Sequence, residues 1–462
     1  MMSKNRTTSR RDFLKFAGAG SLVLGASAVP ALGSSPRESK YNTGVGSAKN
    51  IIFMVSDGMG LGTLSATQQF LKLKENRSSH WLKIYQDLPA VRSLCETYSA
   101  TGLVTDSAAA ASCWGIGERI ENGVINVTPD GRKPVTLLQK MKAARKLTGL
   151  VTTATATHAT PAGFVASLPA RKLQPEIAQQ YLERGVDVIL GGGWTHFDNN
   201  LKSAYEKFGY KIVQNRDDLL AVKQRQPLLG LFAEKYIPFE IDRINTPELK
   251  AFTPTLNEMS QVALSQLSQG PEGFFLMIEG GRIDHAAHAN DAGAILLEQI
   301  AFDETIATVL KFIEKNPDTL LIITTDHGTG GMQINGVGND NFDTNVPSYF
   351  DTNKSFLRLG DFKMSLERLF TESENLKSTA AFRDLVVGVT NLNFKKEDLN
   401  SLSDIESLQK ILPLYTAAGW TSANHTSEMV EFCAYGPGAS LFTPYLSNEQ
   451  VHANLLRAAG LS

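Results

Sequence analysis

Carboxylates and imidazoles recur in this chain wherever an apolar run ends. NIIFMVS (50–56) runs into Asp57-Gly58-Met59-Gly60, and TLLIITT (319–325) runs into Asp326-His327-Gly328. FFLMI (274–278) runs into Glu279-Gly280-Gly281-Arg282-Ile283-Asp284-His285-Ala286-Ala287-His288, and LTGLVTTATAT (147–157) into His158-Ala159-Thr160-Pro161. Ser422-Ala423-Asn424-His425-Thr426 stands just ahead of a further apolar run, MVEFCAYGPG (429–438). Of the eight histidines, five (His158, His285, His288, His327 and His425) fall in these segments. Carboxylate oxygens mixed with imidazole nitrogens suit Zn²⁺ with a harder, oxygen-preferring cation beside it. Asp284 and His288 are four residues apart, which on a helix puts both on one face. Each piece has a plain structural alternative, since Asp-Gly forms turns and Asp-His can cap a helix. A structural explanation would have to serve all five segments at once.

A nucleophile is offered by Ser107 in Thr105-Asp106-Ser107-Ala108-Ala109-Ala110-Ala111. A serine entering an alanine-rich helix reads first as an N-cap. The same position would also let the helix N-terminus stabilise an anion, and the small residues behind it permit close approach of substrate or of a packing element. There is no G-x-S-x-G elbow, so a metal-free Ser/His/Asp hydrolase is not supported.

These residues need a frame that gathers strand ends. The near-continuous Val/Ile/Leu runs at 50–57, 147–157, 186–192, 274–280 and 319–327 are those of strands buried on both faces of a parallel sheet. Between them lie helical periodicities in VTLLQKMKAARKL (135–147), PEIAQQYLERG (175–185) and DAGAILLEQIAFDETIATVLKFIEKN (291–316). The pattern predicts an α/β fold, a doubly wound, mostly parallel central sheet flanked by helices, in which functional groups collect beyond the carboxyl ends of the strands. From about 335 to 420 the rhythm breaks into polar, loop-rich sequence with helical pieces. We read it as an inserted helical and loop region within one catalytic domain spanning 50–462.

With 462 residues and 42% hydrophobic content the chain can bury a large core. Glycine and proline usage is ordinary (38 and 18 residues), which excludes collagen-like and disordered classes. The formal charge of −2 gives no global case for nucleic-acid or membrane-surface binding. Three cysteines (Cys95, Cys113, Cys433) cannot build a disulfide framework, and we expect buried thiols. Charge is uneven at the N-terminus, where residues 1–33 hold five basic residues and one acid; without them the chain has 40 basic against 46 acidic side chains, a formal −6. Ser9-Arg10-Arg11-Asp12-Phe13-Leu14-Lys15 followed by FAGAGSLVLGASAVPALG resembles a twin-arginine export signal (1–33), with 34–49 as a linker. Its apolar core is too short and too glycine-rich for a membrane span, and no other stretch reaches spanning length. The predicted location is periplasmic or extracellular, with the twin-arginine export machinery as a partner.

Taken together, Asp57-Gly58-Met59-Gly60, Thr105-Asp106-Ser107-Ala108-Ala109, His158-Ala159-Thr160-Pro161-Ala162-Gly163, the Glu279–His288 segment, Thr325-Asp326-His327-Gly328-Thr329-Gly330-Gly331 and Asn424-His425-Thr426 closely resemble the alkaline phosphatase family, in family order across residues 57–425. The resemblance implies hydrolysis of small-molecule phosphate monoesters through a phosphoserine on Ser107, with release of inorganic phosphate. It implies one zinc held by Asp284, His288 and His425, a second by Asp57, Asp326 and His327, and a magnesium site from Asp57, Thr160 and Glu279 with His158 beside it. Arg171, thirteen residues after His158, stands at the family's spacing for its phosphate-binding arginine, although by itself it reads as half of a surface Arg-Lys pair. His158 and His285 replace the Asp and Lys of the enteric bacterial branch and match the animal-type enzymes. An imidazole is softer than a carboxylate, which would let zinc or cobalt compete for the third site. A homodimer is what the family suggests. The alternatives are a phosphodiesterase of the same superfamily, against which Thr160, Glu279 and Arg171 speak, and a non-catalytic exported metal- or phosphate-binding protein. A sulfatase would need C-x-P-x-R or S-x-P-x-R, and neither occurs.

Overall fold

The computed structural model describes residues 48–338, 349–442 and 444–461. The expected export signal and all but the last two residues of the linker lie outside them. Ten strands form one sheet: β1 (Asn50–Val55), β2 (Val91–Glu96), β3 (Leu147–Thr155), β4 (Val188–Gly192), β5 (Lys211–Val213), β6 (Leu228–Leu231), β7 (Phe274–Glu279), β8 (Thr319–Thr324), β9 (Val430–Tyr435) and β10 (Tyr445–Ser447). Their order is β10-β2-β9-β8-β1-β7-β3-β4-β6-β5. Every pairing is parallel except those of β9, which runs antiparallel to both β2 and β8. The expected mostly parallel α/β sheet is therefore present.

All six residues of β1, β7 and β8 are buried, as strands covered on both faces require. Alternate side chains feed different cores: Ile52 and Met54 join one cluster, Ile51, Phe53 and Val55 the other. The helix Ala292–Lys315 covers the first face, and Ser107–Ile116, Ala159–Val165 and Gln174–Glu183 cover the second. Each large aliphatic or aromatic side chain so enclosed contributes ~1.5–3 kcal/mol relative to exposure.

The helix expected over 135–147 is shorter than its periodicity. Thr136 closes a capping box, the helix ends at Ala143, and Arg145 takes a left-handed φ of 60° as the chain turns into β3. Between Gln333–Ile334 and Ala418–Gly419, which pair antiparallel, the described residues carry helices at Thr352–Leu357, Leu366–Ser373, Thr379–Thr390, Lys396–Ser401 and Ile405–Thr416. Their apolar residues, Leu366, Leu369, Phe382, Val386, Leu408 and Leu412 among them, merge with the first core. Cys95, Cys113 and Cys433 are buried free thiols. No helix of the described residues is long and apolar enough to cross a membrane.

Candidate metal centre

Register brings the acids together. Val55 of β1 is level with Glu279 at the end of β7 and with Thr324 at the end of β8, so Asp57, Glu279 and Asp326 leave the sheet side by side. Thr152 of β3 is level with Glu279 and donates to its carboxylate. Gly58 turns the chain with a φ of 71° and donates its N–H to Asp326 Oδ1 at 3.0 Å. A Cβ at Gly58 would come within 2.6 Å of Asp284 Oδ1, so a side chain there would displace a site carboxylate. His425 arrives through a short ladder, with His425-Thr426 antiparallel to Gly328-Thr329.

The helix Arg282–His288 presents Asp284 and His288 on one face, as their spacing predicts. His288 Nε2 lies 3.4 Å from Asp284 Oδ2 and 3.0 Å from His425 Nε2. His288 Nδ1 donates to the Ala423 carbonyl at 2.6 Å and His425 Nδ1 to that of Thr105 at 2.8 Å, so both rings turn Nε2 inward. His327 is turned the same way. Thr329 Oγ1 donates to Asp284 Oδ1 at 2.6 Å and lies 3.2 Å from His327 Nδ1, leaving His327 Nε2 to face Asp326 Oδ2 at 3.1 Å and Asp57 Oδ1 at 3.9 Å. Such outer contacts fix which nitrogen a ligand histidine offers.

Among the described residues four groupings have ligand atoms within 4.8 Å of one another; three of them lie here, Asp57-Asp326-His327, Asp284-His327-His425 and Asp57-His158-Glu279, and the fourth, His80-Asp303-Glu304, lies apart from these residues. His327 thus stands between the first two, its ring stacked on His425 with centroids 3.6 Å apart. Thr160 Oγ1 lies 3.5 Å from Asp57 Oδ2. Asp57, Glu279, Asp284 and Asp326 are all buried, and Asp57 Oδ1, Glu279 Oε1, Asp326 Oδ2 and His158 Nδ1 have no hydrogen-bond partner. Buried carboxylates without donors are costly, and cations are what such a cluster fits.

The field has the same sign. Burial, then the charges of Asp326, Asp284 and Glu279, hold Asp57 well above the usual carboxylate range, and burial pushes Glu279 up to about 7. Against burial, the hydrogen bond from His288 and the His327 ring hold Asp284 well below it, and His327 brings Asp326 to about 2. His288 is raised to about 9, first by its hydrogen bond to Asp284, and His327 is raised by Asp326 against the pull of burial. These rings sit in a negative potential that attracts any cation, proton or metal. Burial, then the Arg171 charge, pushes His158 down to about 3.

Ser107 is not the N-cap that its place before the alanines suggested. Asp106 is the cap, accepting from Ala109 N at 2.9 Å, and Ser107 is the first helical residue. Its hydroxyl is thereby free to meet His327 Nε2 at 3.2 Å. The small residues behind it serve packing: Ala108 to Ala111 are fully buried, and a Cβ on Gly163 of the neighbouring helix would sit 2.5 Å from Ala111 Cβ. Arg171 is more than a surface cation. Its Nη1 lies 3.0 Å from Asp106 Oδ2, and its Nη2 donates to His158 Nε2 at 3.0 Å.

Four contributors escaped the sequence reading. The supporting roles of Asp106, Thr152 and Thr329 have no signature beyond adjacency to motif residues. Tyr236, whose ring packs on His285 with centroids 4.3 Å apart, sits in no motif at all.

Comparison with known proteins shows what the chain as a whole is similar to. The alkaline phosphatase family model matches residues 48–461. The chain is 32% identical over 434 residues to alkaline phosphatase 3 of Bacillus subtilis strain 168, covering 89% of this chain and 88% of that protein. Among solved structures it is similar to the alkaline phosphatase of Thermus thermophilus (TM-score 0.82, 29% identity, 95% of this chain and 96% of that one). It is also similar to the cold-active enzyme of a psychrophilic Shewanella (TM-score 0.76, 30% identity, 89% and 100%).

Proposed function

The chain belongs to the alkaline phosphatase family, and from this premise we propose that it hydrolyses phosphate monoesters through a phosphoserine on Ser107, releasing inorganic phosphate. One observation carries the reading: a serine hydroxyl excused from capping stands 3.2 Å from His327 Nε2, at the edge of four buried carboxylates. A mere binding protein would have no use for a nucleophile there.

Asp57, Asp326 and His327 would hold the zinc beside Ser107, and Asp284, His288 and His425 the second zinc. Asp57, Thr160 and Glu279, with His158 adjacent, would hold magnesium. When bound, the ions supply Lewis acidity that lowers the proton affinity of the hydroxyl and of water and offsets charge on the entering and leaving oxygens. The protein's own groups do the rest. Asp106 fixes the helix so that Ser107 enters from its N-terminus, where the dipole favours the phosphate's negative charge. Arg171, with Asp106 and His158 on its guanidinium, is positioned to grip nonbridging phosphate oxygens. His158 stays neutral and accepts from Arg171, so it orients the cation without competing for phosphate.

Export by the twin-arginine pathway to the periplasm or beyond, and assembly as a homodimer, belong to the same proposal. The decisive experiment compares nitrophenyl phosphate, bis-nitrophenyl phosphate and nitrophenyl sulfate on the metal-loaded enzyme. The monoester should be the fastest; a diester rate above the monoester rate would overturn the reading in favour of a phosphodiesterase.

A further inference from the structure

Two glycines of the ligand segments are not explained by their backbone. Gly60 has a φ of −77°, ordinary for any residue, and Gly328 is not among the glycines of positive φ. What both need is room. A Cβ on Gly60 would come within 2.6 Å of Glu428 Oε1, and its three nearest neighbours would all be atoms of that one carboxylate. A Cβ on Gly328 would collide with the same oxygen and with Thr426 Oγ1. Thr426 Oγ1 donates to Glu428 Oε1 at 3.0 Å. One oxygen of a half-buried side chain therefore fills the space that two glycines leave open.

Each of these contacts belongs to a segment that carries ligand candidates. Gly60 closes Asp57-Gly58-Met59-Gly60 and opens the helix Leu61–Glu75, whose N-terminus has no side-chain cap. Gly328 follows Asp326-His327, and Gly328-Thr329 pairs with His425-Thr426. The first two segments are tied directly. Gly58 N donates to Asp326 Oδ1, Met59 N donates to Thr325 Oγ1 at 3.1 Å, and Thr325 Oγ1 donates to the His327 carbonyl at 2.7 Å. Glu428, three residues beyond His425, adds the third segment to that bundle, with its negative charge beside the positive end of the helix Leu61–Glu75. It belongs to none of the metal groupings of the described residues, so its part is to place ligands rather than to be one.

We infer that Glu428 is a positioning residue that locks the His425 ladder against the Asp57 and His327 segments and so presets His425 Nε2 for zinc. The inference rests on the proposed zinc site of Asp284, His288 and His425. It also gives Gly60 and Gly328 a shared task, which is to leave a seat for one carboxylate.

The test measures zinc affinity of the metal-free protein by competition with a chromophoric chelator, together with thermal unfolding of the same metal-free samples. Glu428→Ala should weaken zinc binding roughly tenfold, the low end of what partners that orient metal ligands contribute. Glu428→Gln keeps an oxygen for Thr426 Oγ1 and should stay within about threefold of the wild type. Gly60→Ala keeps the carboxylate but evicts it from its seat, so it should reproduce the Glu428→Ala loss, and the pair of substitutions should be no more than about twofold worse than either alone. Unchanged zinc affinity in Glu428→Ala, with or without a lower melting temperature, overturns the inference, since a purely structural glutamate would affect unfolding alone. Losses from Gly60→Ala and Glu428→Ala that multiply, or a Glu428→Gln loss as large as that of alanine, overturn it too. Where Glu428→Ala fails to fold, the affinity of Gly60→Ala decides between the same outcomes. A wild type that takes up no zinc would defeat the metal reading instead, and additivity of Gly60→Ala and Glu428→Ala in metal-free unfolding would still judge the seat.

Discussion

Arg171 and Asp106 form an ion pair of 3.0 Å through Asp106 Oδ2, while Asp106 Oδ1 caps the helix that begins at Ser107. Oδ2 also accepts from Gly123 N at 2.9 Å. One carboxylate therefore references Arg171, the proposed phosphate-gripping arginine, to Ser107, the proposed nucleophile. Asp106→Ala should lose the cap, ~1 kcal/mol of stability, and release the guanidinium. KM should rise more than kcat falls, and an unchanged KM with lowered kcat would show that Arg171 keeps its place by other means. Asp106→Asn retains a capping oxygen and should recover the stability but only part of the KM loss, which thermal unfolding and steady-state kinetics would separate.

Ser107→Ala removes the proposed nucleophile without disturbing the cap, which Asp106 supplies. The monoesterase rate should fall at least roughly 10³-fold, as deletions of a nucleophile do, with melting temperature near that of the wild type. Acid quench after a pulse of radiolabelled substrate should trap phosphate on the wild-type protein and none on the variant. Label retained by Ser107→Ala would move the nucleophile elsewhere.

Removal of metal should cost both activity and stability. Asp57, Glu279, Asp284 and Asp326 are crowded in the interior, and Asp57 Oδ1, Glu279 Oε1 and Asp326 Oδ2 find no donor. A cation that binds only the folded chain stabilises it by about 4 kcal/mol at a thousand times its Kd. Exhaustive chelation should therefore lower the melting temperature, and zinc with magnesium should restore it together with turnover. Activity surviving complete removal, verified by elemental analysis, would sink the metal-dependent reading.

The sequence was legible where chemistry and burial coincide. β1, β7 and β8 are unbroken apolar runs because helices cover both faces, and each leads into a carboxylate of the candidate centre, so strand and candidate residue are legible together. β5 and β6, of three and four residues, carry too little pattern to separate from loop. The cap at Asp106 could not be told from one at Ser107, since both residue types cap helices well and only backbone geometry decides. Tyr236 was invisible because what ties it to the site is proximity across the fold: it packs on His285, 49 residues away in the chain. No local pattern encodes such a distance.

Glu298 makes a prediction away from the ligands. It is buried at 4% exposure in the helix Ala292–Lys315, accepts from Glu240 N at 2.6 Å, and is pushed up from its ordinary 4.5 to about 8, mainly by burial. The folded state thus keeps a proton that the unfolded chain releases above pH 4.5. Between pH 4.5 and about 8 the native state binds more protons than the unfolded one, so this group's contribution to stability falls as pH rises through that window and is level beyond it. Glu298→Gln keeps an oxygen to accept from Glu240 N and cannot ionise. Urea unfolding should find the variant close to wild type near pH 5 and more stable at pH 9, by an amount on the order of a few kcal/mol at most. An equal difference at both pH values would mean that Glu298 does not titrate in the fold, whereas a difference confined to alkaline pH would show an interior carboxyl that costs the fold stability once it is forced to ionise.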